Sequence, residues 1–78
     1  METPTQEIFD DVKSAAITIW KTYNDEYGYV TKKLDYINSL ENIEDNAMVF
    51  FRMFDWVNQS TMKNMVSSES LEYIFRNL

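Results

Sequence analysis

Only two residues of the chain, Pro4 and Gly28, are strong breakers of regular structure. An all-β chain of this length needs turn signals every ten residues or so, built from Gly, Pro, Asn and Asp. Here apolar side chains instead recur at three- and four-residue spacing almost throughout. The expected class is therefore all-α, a compact three- or four-helix bundle, with residues 1–78 as a single domain. A core of that size rarely supplies more than about 3–5 kcal/mol unaided. The chain has no Cys and no His, so neither a disulfide nor an ordinary zinc site reinforces it. Reinforcement is left to self-association or a partner.

Local signals divide the chain into helices. Thr3-Pro4-Thr5-Gln6 reads as an N-cap Thr, a Pro at the first helical position and a capping-box Gln, with acids following at the positive end of the helix dipole. In that first helix Ile8, Phe9, Val12, Ala15, Ala16, Ile19, Trp20 and Tyr23 share one face; Glu7, Asp10, Asp11, Ser14, Thr18 and Lys21 share the other. A break is expected within residues 24–28, since Asn24-Asp25-Glu26 suits the start of a helix better than the end of one. The second helix should then run to Leu40 or Glu41, with Val30, Leu34, Ile37 and Leu40 inward and Tyr29 and Tyr36 on its flank. A third begins near Glu44, capped from Asn42. Between Ala47 and Val57 only Arg52 and Asp55 are polar, so this helix is expected to be the central one, enclosed on several sides. Ser67-Ser68-Glu69-Ser70 opens a last helix with Leu71, Ile74, Phe75 and Leu78 as its apolar stripe.

Charge is distributed unevenly. Up to Asp45 there are ten acids against four lysines, which accounts for the whole net charge of −6, while residues 46–78 are balanced and rich in large apolar groups. A negative field repels phosphate and anionic lipid, so direct contact with nucleic acid or a membrane surface is disfavoured and a basic partner is favoured. Lys32-Lys33 is the single adjacent basic pair and reads as solvated. Residues 1–11 are acidic and polar where a signal peptide is basic and then apolar, and no run approaches the roughly 18 apolar residues of a membrane span. With no Cys, the expectation is a soluble cytoplasmic protein.

The usual instruments of catalysis are missing. General acid–base chemistry near neutrality most often uses His, and covalent catalysis often uses Cys. The carboxylate pairs Asp10-Asp11, Asp25-Glu26 and Glu44-Asp45 are sequence neighbours, which diverge by about 100° on a helix and do not face each other across a substrate. Asn24-Asp25-Glu26-Tyr27-Gly28 lacks the spacing of a calcium loop, and one Gly cannot build a phosphate-binding loop. The chain is expected not to be an enzyme and to carry no metal and no cofactor.

Two surfaces remain. Glu7, Asp10 and Asp11, joined by Asp25 if the first helix extends that far, face one way; Glu26, Glu41, Glu44 and Asp45 add to the acidic surface around the following connections. Carboxylates repeated along a rigid helix imitate the phosphates of a nucleic acid and fit a basic groove. The other surface is the excess of large rings, from Trp20 and Tyr23 to Tyr73 and Phe75, too many for one small interior. The expected function is that of an inhibitor or adaptor. These acids would cover the basic, nucleic-acid-binding site of a larger protein such as a nucleic-acid-handling enzyme. In composition, with no matched motif, the chain is like small acidic phage or mobile-element proteins that block such enzymes. The alternative is a homo-oligomeric structural or assembly subunit, for instance a homodimer paired through the third and last helices.

Overall fold

The computed structural model describes residues 3–41, 47–60 and 65–77. They form four helices, α1 (Gln6–Trp20), α2 (Tyr29–Asn38), α3 (Ala47–Gln59) and α4 (Ser68–Arg76), with a 3-10 turn at Glu26–Gly28, and no strand occurs among them. The all-α bundle expected from the sequence is what forms. The expected start of the third helix near Glu44 and its cap at Asn42 lie outside the described residues.

The first helix starts two residues later than Thr3-Pro4 suggests. Thr5, with extended backbone, is the N-cap, and its Oγ1 accepts a hydrogen bond from the Ile8 amide at 3.2 Å. Pro4 lies ahead of the helix and is buried. Gln6 Nε2 donates forward to Asp10 Oδ1 (2.9 Å) and across to the Glu41 carbonyl (3.0 Å). Lys13 Nζ donates to the Leu40 carbonyl at 2.6 Å. Two side chains of α1 thus satisfy carbonyls just past the end of α2, and α2 runs back antiparallel to α1.

Of the expected apolar stripe of α1, Ile8, Phe9, Val12, Ala15, Ala16 and Ile19 are buried, but the helix ends at Trp20, before the expected break at 24–28, so Trp20 is half-buried and Tyr23, beyond the helix, is exposed. That stripe is the hub of the fold, because α1 packs against each of α2, α3 and α4. The expectation that α3 would hold this place is corrected. Its Phe50, Met53, Phe54 and Val57 are buried at the i, i+3, i+4, i+7 positions of a single face. Four further apolar residues of α3 are not enclosed: Met48 is 78% exposed, and Val49, Phe51 and Trp56 are half-buried. Methionine and aromatic side chains covered on one flank are tolerated at a surface.

Phe50 is where three helices meet. Its ring lies 6.1 Å from Phe9 of α1, 5.9 Å from Tyr73 of α4, and 6.0 and 6.2 Å from Phe51 and Phe54 of its own helix. Tyr73 also meets Phe54 edge to face at 6.1 Å. These contacts set the rotation of α4. Its buried residues are Ser70, Tyr73 and Ile74, Leu71 is half-buried, and Phe75, assigned inward from the sequence, is 61% exposed. The cap of α4 is as expected: Ser67 accepts from the Ser70 amide at 3.2 Å, with Glu69 in the first turn.

Phe50→Ala removes a fully enclosed ring and should cost about 3–5 kcal/mol, whereas Phe75→Ala should stay within about 0.5 kcal/mol of wild type. Denaturant unfolding of the two variants measures both, and equal losses would contradict this arrangement.

Candidate functional site

Between α1 and α2 the chain reverses through residues 21–28, and the turn consumes one of the acids. The Thr22 hydroxyl and amide both donate to the Ile19 carbonyl, at 2.7 and 3.1 Å, closing the end of α1 at Trp20. Tyr27 (φ 59°) and Gly28 (φ 74°) are both left-handed, a geometry that costs a non-glycine residue roughly 1–2 kcal/mol. Two such residues in succession turn the chain back along α1 and leave Tyr27 95% exposed. Gly28 precedes α2 but has no side chain to cap it. Asp25 supplies the cap: Oδ1 accepts from the amides of Val30 (2.8 Å) and Thr31 (3.1 Å), and Oδ2 accepts from the Thr31 hydroxyl. The Thr31 hydroxyl and amide, with the Val30 amide, outweigh a small desolvation and hold this carboxyl below its ordinary range. Because α1 ends at Trp20, Asp25 does not extend the acidic face of that helix.

Asp11 is also engaged. Its Oδ2 accepts from the Ser67 amide at 2.7 Å, tying the N-cap of α4 to the middle of α1 across 56 positions of sequence. Burial pulls the Asp11 carboxyl upward, but hydrogen bonds from the Ser70 hydroxyl and from the Ser67 amide and hydroxyl exceed that effect and leave it below its usual value.

Glu7, Asp10, Glu26 and Glu41 have exposed side chains, and none makes an ion pair among the described residues. Glu44 and Asp45 lie outside the described residues. The hydrogen bonds from Gln6 to Asp10 and to the Glu41 carbonyl bring Glu7, Asp10 and Glu41 to one end of the α1–α2 pair. Glu26 belongs to the turn at the other end, a distance of about 22 Å for a 15-residue helix rising 1.5 Å per residue. The acids therefore fall into a patch of three, a lone Glu26, and two carboxylates spent on helix starts.

Sequence patterning did not associate the aromatic residues with the lysine pair. Lys32 is exposed, whereas Lys33 is half-buried with Nζ 5.5 Å from the ring centroids of both Trp20 and Trp56. Tyr27, Tyr29 and Tyr36 surround the two lysines in a hollow of about 340 Å3. On the other side of the indole pair, Trp20, Tyr23 and Trp56 wall a larger open groove. No intra-helical spacing signals this cluster, because its rings come from α1, the following turn and α3, and its lysine from α2.

No protein-family model, curated protein or solved structure matches the chain. Its functional reading rests on the placement of its own side chains.

Asp11→Ala should lower stability by about 1 kcal/mol at neutral pH, a charge-assisted hydrogen bond discounted for its exposure. Because folding lowers the Asp11 pKa, its contribution is complete above the unfolded value of about 3.9 and is lost as pH falls through the lower folded value. Urea unfolding across that range should show the variant and wild type converging toward acid; a gap that widens there would contradict the assignment.

Proposed function

We propose that the chain is a small acidic interaction module, an inhibitor or adaptor that covers a basic, nucleic-acid-binding site on a larger protein. The observation that carries this reading is that Glu7 and Asp10 stand exposed, without an ion pair among the described residues, on a helix whose opposite face is the core. Carboxylates on such a helix are held in fixed relation to one another before any partner arrives, so docking orders little further chain. Glu41, whose backbone carbonyl accepts from Gln6, is exposed at the same end of the helix pair. The net charge of −6 steers a positive surface toward the module, and desolvated contacts then set the dissociation rate. On this reading it acts by binding alone, in the cytoplasm, with no cofactor.

Asp11 and Asp25 are left out of the contact surface because replacing them would disturb helix starts and not only binding. Glu7→Lys/Asp10→Lys/Glu41→Lys should keep the helical circular dichroism of wild type. Capture of its partner from the native cell should weaken by more than about tenfold, a loss of about 1.4 kcal/mol or more. The captured partner should be released by raised salt and by competing DNA. Undiminished capture by the triple variant, or capture indifferent to salt, would remove this surface from consideration.

A homo-oligomeric assembly role is the second reading, and the exposure of Met48 on α3 and Phe75 on α4 is what favours it. Sedimentation across a dilution series separates the two. A tight dimer that the triple charge reversal leaves intact supports assembly, and a monomer supports the interaction module.

A further inference from the structure

Tyr27 is held at φ 59°, a conformation that glycine adopts without cost, and its ring stands almost wholly in solvent. A turn that had only to reverse the chain would be served by glycine there, as it is at Gly28. Strain kept at a surface position points to a use for the side chain. Tyr27 lines a hollow of about 340 Å3 with Tyr29, Tyr36, Lys32 and Lys33. All three phenols are exposed, and among the described residues none pairs with another aromatic ring. The Lys33 ammonium is engaged with the indoles of Trp20 and Trp56. Lys32 is exposed and makes no ion pair among the described residues, so it is the ammonium that the hollow offers to an occupant.

A phenol presents an apolar face and a hydroxyl donor, which is why tyrosine is favoured at the centre of interfaces. A carboxylate accepts hydrogen bonds from hydroxyls and from an ammonium alike, so it is the group that this hollow suits. The chain itself presents such groups. Glu7, Asp10 and Glu41 are exposed at the opposite end of the α1–α2 pair and make no ion pair among the described residues. The length of α1, about 22 Å for 15 residues rising 1.5 Å each, separates them from the turn. One molecule therefore cannot bring its own acids into its own hollow, whereas a second molecule can. Asp25 is spent on the amides of Val30 and Thr31, but Glu26 and Asp35 are exposed beside the hollow and limit the attraction. The contact is accordingly weak.

We propose that the hollow of Tyr27, Tyr29, Lys32 and Tyr36 is the seat for the acidic patch of a second copy of this chain, so that molecules join head to tail at high concentration. Such a contact is heterologous: each copy gives its acidic end to one neighbour and its hollow to another, and the series extends or closes into a ring. It differs from a tight dimer through Met48 and Phe75 in both surface and strength. Self-association covers the acids that the proposed function gives to a basic partner, so the two compete. It does not require that partner to be basic, because both surfaces belong to this chain.

The test is a dilution series of isotope-labelled wild type, from about 2 mM to about 50 µM, followed by nuclear magnetic resonance. Amides of residues 6–10 and 41 should shift together with those of residues 27–36, on one binding curve with a dissociation constant of about 1 mM. Two variants divide the contact. Glu7→Gln/Asp10→Asn/Glu41→Gln removes the occupant, and Tyr27→Gly/Lys32→Gln removes the seat while relieving the left-handed strain. Each alone should associate at least about fivefold more weakly than wild type. The first does so despite losing three negative charges, which would favour association if overall repulsion decided it. Mixed together, the two variants keep one complementary pair of surfaces and should form a one-to-one dimer with wild-type affinity and nothing larger in sedimentation. A mixture no more associated than its components would overturn the proposal. So would a wild type unaffected by dilution, which would mean that any carboxylate in the hollow comes from another molecule. Shifts confined to α3 and α4 would place self-contact at Met48 and Phe75 and overturn it too. The wild-type series depends on neither variant folding, and circular dichroism checks that both are helical. Failure here leaves the basic partner untouched, and loss of that partner reading leaves the head-to-tail contact standing.

Discussion

The enclosure of Phe50 by rings from three helices is the contact on which the rest of the structure depends. Phe9 brings α1 to it and Tyr73 brings α4, so one side chain of α3 fixes the mutual placement of the three helices that close the core. A small chain with no disulfide has few alternatives, because its net stability is a small difference between apolar burial and chain entropy. Once Phe9, Val12, Ala16 and Ile19 are committed inward on α1, the orientation of that helix follows. Glu7 and Asp10 are then outward for the same reason that Phe9 is inward. The core and the acidic surface are two faces of one helix.

Much of the fold was legible from spacing alone. The α1 stripe from Ile8 to Ile19, the inward Val30, Ile37 and Leu40, and the Ser67 cap of α4 lie where their pattern places them, because each depends on neighbours within about one or two turns; Leu34, expected inward with them, is half-buried. The misreadings share a cause. Thr3-Pro4 reads as a helix start, but the cap is Thr5, whose Oγ1 accepts from the Ile8 amide, while the Gln6 side chain bonds the Glu41 carbonyl 35 positions away. Phe75 is as apolar as Tyr73, yet Tyr73 is enclosed because it fits against Phe50 and Phe54. Apolar content around most of α3 suggested a central helix, but a residue's hydrophobicity permits burial without requiring it. The hub is instead α1, whose narrower stripe faces all three other helices.

The candidate surface was only half legible. Acidic side chains on the outer face of α1 follow from periodicity, but their availability does not. Asp11 and Asp25 look equivalent to Glu7 and Asp10 in the sequence, yet they accept backbone amides at the starts of α4 and α2. The amide that claims Asp11 belongs to Ser67, and no local rule connects the two. Lys33 departs further from its sequence pattern. Beside Lys32 it reads as a solvated pair, whereas the bundle lays it over two indoles from two other helices.

That division of α1 into a committed face and an available face requires that α1 be as integral to the bundle as α3 is. Native-state hydrogen exchange read by nuclear magnetic resonance tests this most directly, since amides released only by global unfolding share one opening free energy. Residues 12–19 of α1 and 50–57 of α3 should exchange through the same global opening, with equal free energies and equal sensitivity to denaturant. Exchange of the α1 amides through a separate, lower-energy opening while those of α3 stay protected would contradict the account. It would mean that α1 is an appendage of the core and cannot hold its carboxylates in place.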